Sequence, residues 1–198
     1  GLADNYIRSL YAGRDGSLWI GTRRGLTQYK QGEFTTYTML DGLASDLVGA
    51  IGEDRQGNLW IGTLGGLSRF KDEKFTNYAT EAGLSSEVVI ALYEDGAGGL
   101  WIGTHGGGLN YFKGGKFTHF TTKDGLPDDV IYQILEDGQG NLWMSSNKGI
   151  IRVSRKELET RTDPNRKLET VATFGTAEGM ETRECSGGGH PAGWKTTD

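Results

Sequence analysis

The 198-residue sequence has one cysteine, three prolines and no run of Lys or Arg longer than two residues. Because Cys185 stands alone, no internal disulfide is possible, which is compatible with either the cytoplasm or the periplasm. The formal net charge of −5 and the scattered basic residues argue against nucleic acid or an anionic membrane surface as a partner. No apolar stretch approaches the roughly 20 residues of a membrane span, so we expect no direct membrane contact.

Glycine and aromatic residues are abundant instead, with 33 Gly, five Trp, eight Tyr and seven Phe. Disordered chains are poor in aromatic side chains, and many glycines with few prolines are typical of a fold with many tight turns. The length is sufficient for one sizeable core. The composition therefore favours a folded domain over a flexible linker.

A fourfold internal repeat organises most of the chain. Four tryptophans recur at intervals of 41, 41 and 42 residues, within the segments GSLWIGT, GNLWIGT, GGLWIGT and GNLWMSS. These tryptophans are Trp19, Trp60, Trp101 and Trp143. A Gly-Leu pair precedes each of them, and a second Gly-Leu or Gly-Ile pair follows. Fixed recurrence of this kind is the signature of a repeat architecture.

Each repeat holds four short segments rich in β-branched and aromatic residues, which predict strands. In the second repeat these segments cover 47–52, 59–63, 67–70 and 75–78. Four antiparallel strands in about 41 residues make one propeller blade, and stacked blades bury the tryptophans between them. We therefore predict an all-β fold, a β-propeller of four-stranded antiparallel blades with four complete blades and the start of a fifth. All four tryptophans are expected in its core.

The whole chain, 1–198, is then one propeller segment. Its repeats run over about 1–41, 42–82, 83–124 and 125–178, followed by a partial, divergent repeat at 179–198. The fourth repeat carries an insertion at 154–170 that begins with a capping-box pattern at 154–157. We predict one helical turn there and a polar loop through Asp163-Pro164-Asn165, on the face with the turns between third and fourth strands. Because the chain starts inside a repeat marker, we expect it to be a piece of a longer protein.

The repeat markers at fixed offsets resemble the two-component regulator propeller repeat. In the second repeat they are Gly42-Leu43, Glu53-Asp54, the segment 57–63 and Gly65-Gly66-Leu67. The resemblance covers roughly residues 1–153 and resumes at 168–183. It implies the periplasmic sensor region of a bacterial hybrid two-component histidine kinase, and thus signal input. It also implies a small-molecule ligand such as an oligosaccharide, and the remaining blades of a longer protein as partners.

One loop differs between the repeats while the scaffold positions agree. It follows the tryptophan strand, and function tends to reside in such loops on a rigid scaffold. In propellers this loop shares a face with the crossover into each innermost strand. The candidates for a ligand-binding face are therefore Arg23, Arg24, His105, Asn147 and Lys148 from the loops, with Asn5, Asp46, Glu87 and Asp129 from the crossovers. Solvated turns and strand-entry hydrogen bonds are the alternative for each of them.

No motif in the sequence indicates a catalytic set, a metal site or a cofactor. His105, His119 and His190 are far apart and lack metal-ligand spacing, and the Gly-rich segments 105–108 and 186–189 lack the phosphate-loop pattern. Cys185 has no base placed beside it in the sequence. We therefore expect a module that binds or senses rather than one that catalyses.

Two alternatives to a sensor stay open at this point. One is a propeller enzyme, such as a lyase or a glycan-active enzyme, built around a channel-facing histidine or carboxylates. The other is a scaffold for protein–protein interaction or dimerisation. Since four and a half repeats leave the first and last blades with uncovered faces, we also predict that the chain alone is marginally stable or associates with another copy.

Overall fold

A computed structural model of the protein describes residues 1–161, 163, 165–182, 184–185, 190 and 192–193. Over these residues, four antiparallel four-stranded sheets follow one another along the chain. Strands within each sheet keep their sequence order, so every sheet is a series of consecutive hairpins. The predicted all-β architecture of four-stranded antiparallel blades is confirmed.

The strands of the four blades have the following bounds. Blade 1 contains β1 (Ile7–Ala12), β2 (Leu18–Thr22), β3 (Leu26–Lys30) and β4 (Glu33–Tyr37). Blade 2 contains β5 (Val48–Glu53), β6 (Leu59–Thr63), β7 (Gly66–Lys71) and β8 (Lys74–Tyr78). Blade 3 contains β9 (Val89–Glu94), β10 (Leu100–Thr104), β11 (Leu109–Lys113) and β12 (Lys116–Phe120). Blade 4 contains β13 (Gln133–Glu136), β14 (Asn141–Ser146), β15 (Gly149–Ser154) and β16 (Ala172–Phe174).

The first strand of each blade is the innermost one. Strand β1 packs beside β5, β5 beside β9, and β9 beside β13. Because successive strands alternate in direction, the connections between blades lie at the same end of the sheets as the loops between second and third strands. We call this end the crossover face. The hairpin turns between first and second strands and between third and fourth strands lie at the opposite end, which we call the turn face.

The core lies between blades, and the Leu-Trp pair of each second strand explains how. Neighbouring residues on a strand point to opposite faces of the sheet. In each pair the tryptophan therefore faces the following blade and the leucine faces the preceding one. Three buried clusters follow this rule and pair Trp19 with Leu59, Trp60 with Leu100 and Trp101 with Leu142.

The fourth tryptophan departs from the prediction that all four lie in the core. Trp19, Trp60 and Trp101 are at most 6% exposed, whereas Trp143 is only partly buried. The reason is that its ring faces the side of blade 4 on which no further blade packs within the described residues. The ring instead stacks on Phe174 of its own blade, with centroids 5.3 Å apart.

The recurring Gly-Leu pair marks the end of each crossover turn. A short 3₁₀ turn follows each fourth strand and ends at a glycine whose φ lies between 98° and 110°. These glycines are Gly42, Gly83, Gly125 and Gly179. Residues with a Cβ are strained in this left-handed region, which explains the glycine. The leucine that follows the first three of them is buried between blades.

The insertion of the fourth repeat forms helix α1 (Arg155–Thr160) on the turn face, as predicted. Leu158 is buried against the interface between blades 3 and 4. The predicted capping box is wrong, because the Ser154 side chain makes no cap hydrogen bond. The Glu157 carboxylate instead accepts hydrogen bonds from the backbone N–H groups of Glu169 (2.6 Å) and Thr170 (3.0 Å). Pro164 of the predicted polar loop lies outside the described residues.

Two residues of the divergent C-terminal stretch contact opposite ends of the blade series. The backbone N–H of His190 donates to the Arg8 carbonyl (2.8 Å), and the pairing with β1 is parallel. The backbone N–H of Ala192 donates to Oε1 of Gln133 in β13 (3.2 Å). His190 and Ala192 thus lie between blades 1 and 4. The Gly-rich segment 186–189 lies outside the described residues.

Candidate functional site

The variable loops and the crossovers lie together on the crossover face. Each of the first three loops donates a backbone hydrogen bond to the crossover that enters the next blade. The donors and carbonyl acceptors are Gly25 and Asp46 (2.7 Å), Gly66 and Glu87 (2.7 Å), and Gly106 and Asp129 (2.9 Å). A hydroxyl at the end of each second strand closes the loop from the other side, as Thr22 Oγ1 does on the Gly25 carbonyl (2.9 Å). The loops are therefore held rigidly beside the crossovers.

The crossover carboxylates among the candidates hold the crossover turns. Oδ1 of Asp46 accepts a hydrogen bond from the Met39 N–H (2.7 Å). Asp129 accepts from both the N–H (2.7 Å) and the hydroxyl (2.9 Å) of Thr122. The hydroxyl of Thr80 donates to Glu87 over 3.4 Å. For these three residues the structure favours the alternative that sequence left open, a strand-entry hydrogen bond.

The side chains of three loop candidates also contact other residues of the protein. Oδ1 of Asn147 accepts a hydrogen bond from the Tyr132 hydroxyl (2.8 Å). Nζ of Lys148 donates to the Pro127 carbonyl (2.9 Å). The Arg23 guanidinium lies 3.5 Å from the centroid of the Tyr6 ring, a cation–π contact. A ligand that used these groups would have to share them or displace their present partners.

Arg24, His105 and Asn5 are the candidates whose side chains remain available. All three are exposed, and none makes a side-chain hydrogen bond or ion pair with another residue of the described ranges. A guanidinium, an imidazole and an amide together offer donors and acceptors to a polar ligand. These three side chains are therefore the part of the predicted face best suited to recognition.

A cavity that sequence reasoning missed lies among the inner strands, towards the turn face. Its volume is about 450 Å³, and the ends of β1, β5 and β9 line it together with His190. Leucine and isoleucine side chains form much of the wall, and the polar groups come from Tyr11, Tyr93, Glu53 and Glu94. The recurring Glu-Asp pair was the available signal, because its glutamate ends the inner strands β5 and β9. We call this space the central cavity.

The His190 imidazole stays neutral in the central cavity. Neither Nδ1 nor Nε2 has a hydrogen-bond partner among the described residues. Burial lowers the pKa of His190 to about 4, since a charged imidazolium would lose its hydration there. Burial raises the pKa of Tyr93, whose hydroxyl donates to Glu136 (2.8 Å). The cavity thus combines a neutral imidazole with the carboxylates of Glu53 and Glu94.

No group of three or more His, Cys, Asp and Glu side chains among the described residues is placed to hold a metal ion. No helix within those ranges is long and apolar enough to cross a bilayer. Cys185 is partly buried and forms no disulfide.

The repeats found in the sequence match a known protein family. The profile of the two component regulator propeller family matches residues 1–24, 42–65, 83–106 and 125–148. Each match runs from the Gly-Leu pair through the inner strand and the tryptophan strand to the variable loop. The matches therefore recur in register, once in each of the four blades.

Solved structures with similar folds include two extracellular domains from B. thetaiotaomicron. One, described as that of a one component system, has a TM-score of 0.70 and 25% identity over 88% of this chain and 26% of that chain. The other, described as that of a hybrid two component system, has a TM-score of 0.73 and 24% identity over 88% of this chain and 25% of that chain. This chain thus spans about a quarter of the length of each.

A more distant likeness is to virginiamycin B lyase from Staphylococcus aureus. Its TM-score is 0.63, with 16% identity over 85% of this chain and 55% of that chain. At this identity the likeness shows a shared fold alone. No curated protein matches this chain.

Proposed function

Because this chain is built from repeats of the two-component regulator propeller family, we propose that it is a ligand-binding segment of the extracytoplasmic input region of a bacterial signalling protein. The observation that carries this proposal is the in-register family match in all four blades. The likeness to an extracellular domain described as that of a one component system supports the same role and location.

An oligosaccharide is the ligand class that we propose first. Sugar hydroxyls donate and accept hydrogen bonds, and the crossover face presents exposed Arg24, His105 and Asn5 side chains without partners in the described structure. Rigid loops lose little entropy when they bind, which favours recognition there. The central cavity is the second place where such a ligand, or its end group, would fit.

A thermal-shift screen of the chain against a panel of oligosaccharides tests this proposal, because a ligand that prefers the folded state raises the melting temperature. We expect a saturable rise with one glycan class. Loss of that rise in Arg24→Ala or His105→Ala would place the site on the crossover face, and loss in His190→Gln would place it in the central cavity. Lys116→Ala, on the turn face and outside the lining of the cavities, is the control. A panel that gives no shift would reject glycan sensing.

A propeller enzyme is the second candidate, and one observation favours it. His190 lines the same cavity as Glu53 and Glu94, which are groups capable of acid–base chemistry. His105, a candidate for the ligand-binding face, lies exposed on the opposite face. Turnover of a glycan that is abolished by His190→Ala and retained by His105→Ala would establish this role. Binding without turnover would favour the role of a sensor over that of an enzyme.

A further inference from the structure

A second cavity lies between blades 2 and 3 on the turn face. Its volume is about 260 Å³. Trp60, Tyr78 and Phe112 contribute aromatic walls, and the glycine backbones at 98–99 and 114–115 form part of its lining. Its polar side chains come from Asp54, Gln56, Asn58, Arg69 and Glu94, of which Glu94 also lines the central cavity. We call this space the 2/3 groove.

Three buried polar atoms of the 2/3 groove have no hydrogen-bond partner within the described ranges. They are Oδ1 of Asn58, Nε of Arg69 and Oε1 of Glu94. Asn58 is only 4% exposed, and its Nδ2 already donates to Asp54 (2.7 Å). The other oxygen of Glu94 lies 4.0 Å from Arg55 Nε, too far for a hydrogen bond. Each unsatisfied buried group costs about 1–3 kcal/mol, so three in one groove call for a function.

The equivalent groove between blades 3 and 4 is filled. Gly99 and Tyr111 stand there at the positions of Asn58 and Arg69. The Tyr111 ring stacks on Trp101 with centroids 4.1 Å apart, and its hydroxyl donates to Asp95 (2.8 Å). A Cβ at Gly99 would lie 2.2 Å from that hydroxyl, so the glycine makes room for the ring.

The carboxylates that correspond to Glu94 are satisfied in the other two grooves. Between blades 3 and 4, Glu136 accepts a hydrogen bond from Tyr93 (2.8 Å) and pairs with Arg155 (3.3 Å). Between blades 1 and 2, Glu53 accepts from the Arg14 N–H (3.0 Å). In blade 2, Gly52 occupies the position that Tyr93 holds in blade 3 and supplies no donor to Glu94. The 2/3 groove is thus open where its counterparts are closed.

We propose that the 2/3 groove binds a small zwitterion of the α-amino acid class. Arg69 carries a positive charge and Glu94 a negative one, and Glu94 pairs not with Arg69 but with Arg55, whose Nε lies 4.0 Å away. A free amino acid would place its carboxylate against Arg69 and its ammonium against Glu94 and Oδ1 of Asn58, and charge-assisted hydrogen bonds of this kind are the strong ones. A neutral sugar would bring no carboxylate to Arg69, for which the structure shows no ion pair within the described ranges.

The size of the groove agrees with this class of ligand. Drug-sized ligands occupy cavities of about 300–1,000 Å³, so a smaller space suits a smaller molecule. The aromatic side chains of Tyr78 and Phe112 line the same space and would contact an apolar side chain of the ligand. This site is on the opposite face from Arg24 and His105 and does not depend on the signalling role proposed above.

Isothermal titration of the chain with glycine, L-alanine and L-leucine tests the proposal. We expect saturable binding of at least one of them, and none of its N-acetylated amide, in which both charges are removed. Arg69→Gln is expected to weaken binding at least tenfold. Arg152→Gln is the matched control, because Arg152 holds the same strand position in blade 4 but lies over the Trp143 ring, 5.7 Å from its centroid. That variant is expected to bind like the parent chain.

Several outcomes would overturn the zwitterion site. They are no binding of any free amino acid at millimolar concentration, equal weakening by Arg69→Gln and Arg152→Gln, or Arg69-dependent binding of glucose in place of amino acids. The double variant Asn58→Gly/Arg69→Tyr copies blade 3 and fills the groove with a ring, so it guards against a folding defect in the single variant. Amino acid binding that survives in this variant, with the fold confirmed by circular dichroism, would also contradict the proposal.

Discussion

Blade 1 and blade 2 carry leucines at the same strand position but bury them very differently. Leu18 in β2 is 36% exposed, whereas Leu59 in β6 is 5% exposed. The inner strands repeat the pattern, with Leu10 at 47% and Ile51 at 1%. Blade 2 has blade 1 on that side, and blade 1 has no preceding blade among the described residues. The neighbouring blade, more than the blade's own strands, therefore determines which apolar side chains are buried.

The same comparison explains the other end of the series. Trp143 faces the side of blade 4 that no further described blade covers, and it is only partly buried. Stability in repeat proteins is approximately a sum of unit terms and interface terms between neighbours. We therefore expect equivalent substitutions to differ in cost according to the interface at which they lie.

The largest difference in the loss of unfolding free energy is expected between substitutions of two tryptophans. Trp101→Ala removes a fully buried ring at the interface between blades 3 and 4, and should lower the free energy of unfolding by about 3–5 kcal/mol. Trp143→Ala removes a partly exposed ring and should cost less than half as much. Urea unfolding of both variants measures the two values. Equal costs would show that the interface does not set the burial energy.

The leucine pair gives the next largest difference. Leu59→Ala should lower the free energy of unfolding by about 2–4 kcal/mol, because a cavity forms between blades 1 and 2. Leu18→Ala should cost less than about 1 kcal/mol, since its side chain is already exposed. The measurement is made at low protein concentration, so that contacts between copies do not cover Leu18. A Leu18→Ala variant as unstable as Leu59→Ala would contradict the comparison.

The contact between His190 and blade 1 should depend on pH. The pKa of His190 in the folded protein, about 4, is below its ordinary value of 6.5, so the unfolded chain binds the proton more readily. Stability should therefore be fully present above about pH 6.5 and fall as the pH drops towards 4, by at most about 3 kcal/mol. This pH-dependent part of the stability should be absent from His190→Leu when unfolding is measured across the same pH range. An unchanged pH profile in the variant would show that His190 does not cause the pH dependence of stability.

The smallest difference in stability is expected between two substitutions in the crossovers. Asp46→Ala removes the acceptor for the Met39 N–H and should cost about 1 kcal/mol, as loss of a helix cap does. Asn5 holds the related position before blade 1, and its exposed side chain has no hydrogen-bond partner in the described structure, so Asn5→Ala should have little effect. Thermal unfolding of the two variants compares them. A destabilised Asn5→Ala would reveal a contact that the fold does not explain.

Much of the fold could be predicted because its signals are local. The Leu-Trp pair, the turn glycines and the 41-residue spacing predict the strands of the second repeat to within one residue of their observed ends. The crossover face could also be predicted, since strand alternation places loops and crossovers at the same end. The capping box at Ser154 was wrong because Glu157 finds donors in the returning chain, which local sequence does not reveal.

The cavities could not be predicted because they join residues from different blades. The central cavity needs the ends of three inner strands and the placement of His190 beside β1. The roles of Asp46 and Asp129 depend on the geometry of the crossover turns. The 2/3 groove did leave a signal, because Gly52 and Arg69 differ from Tyr93 and Tyr111 in the next repeat. That difference indicates a groove only when the residues of the facing blade are known.

Sedimentation velocity of the purified chain tests whether a blade face without a neighbouring blade associates with another copy of the chain. We predict concentration-dependent association between copies, which the double substitution Leu10→Glu/Leu18→Lys on the exposed face of blade 1 should abolish. A monodisperse monomer at all concentrations, unfolding in one cooperative transition, would contradict this prediction and show that blade 1 is stable without a neighbour.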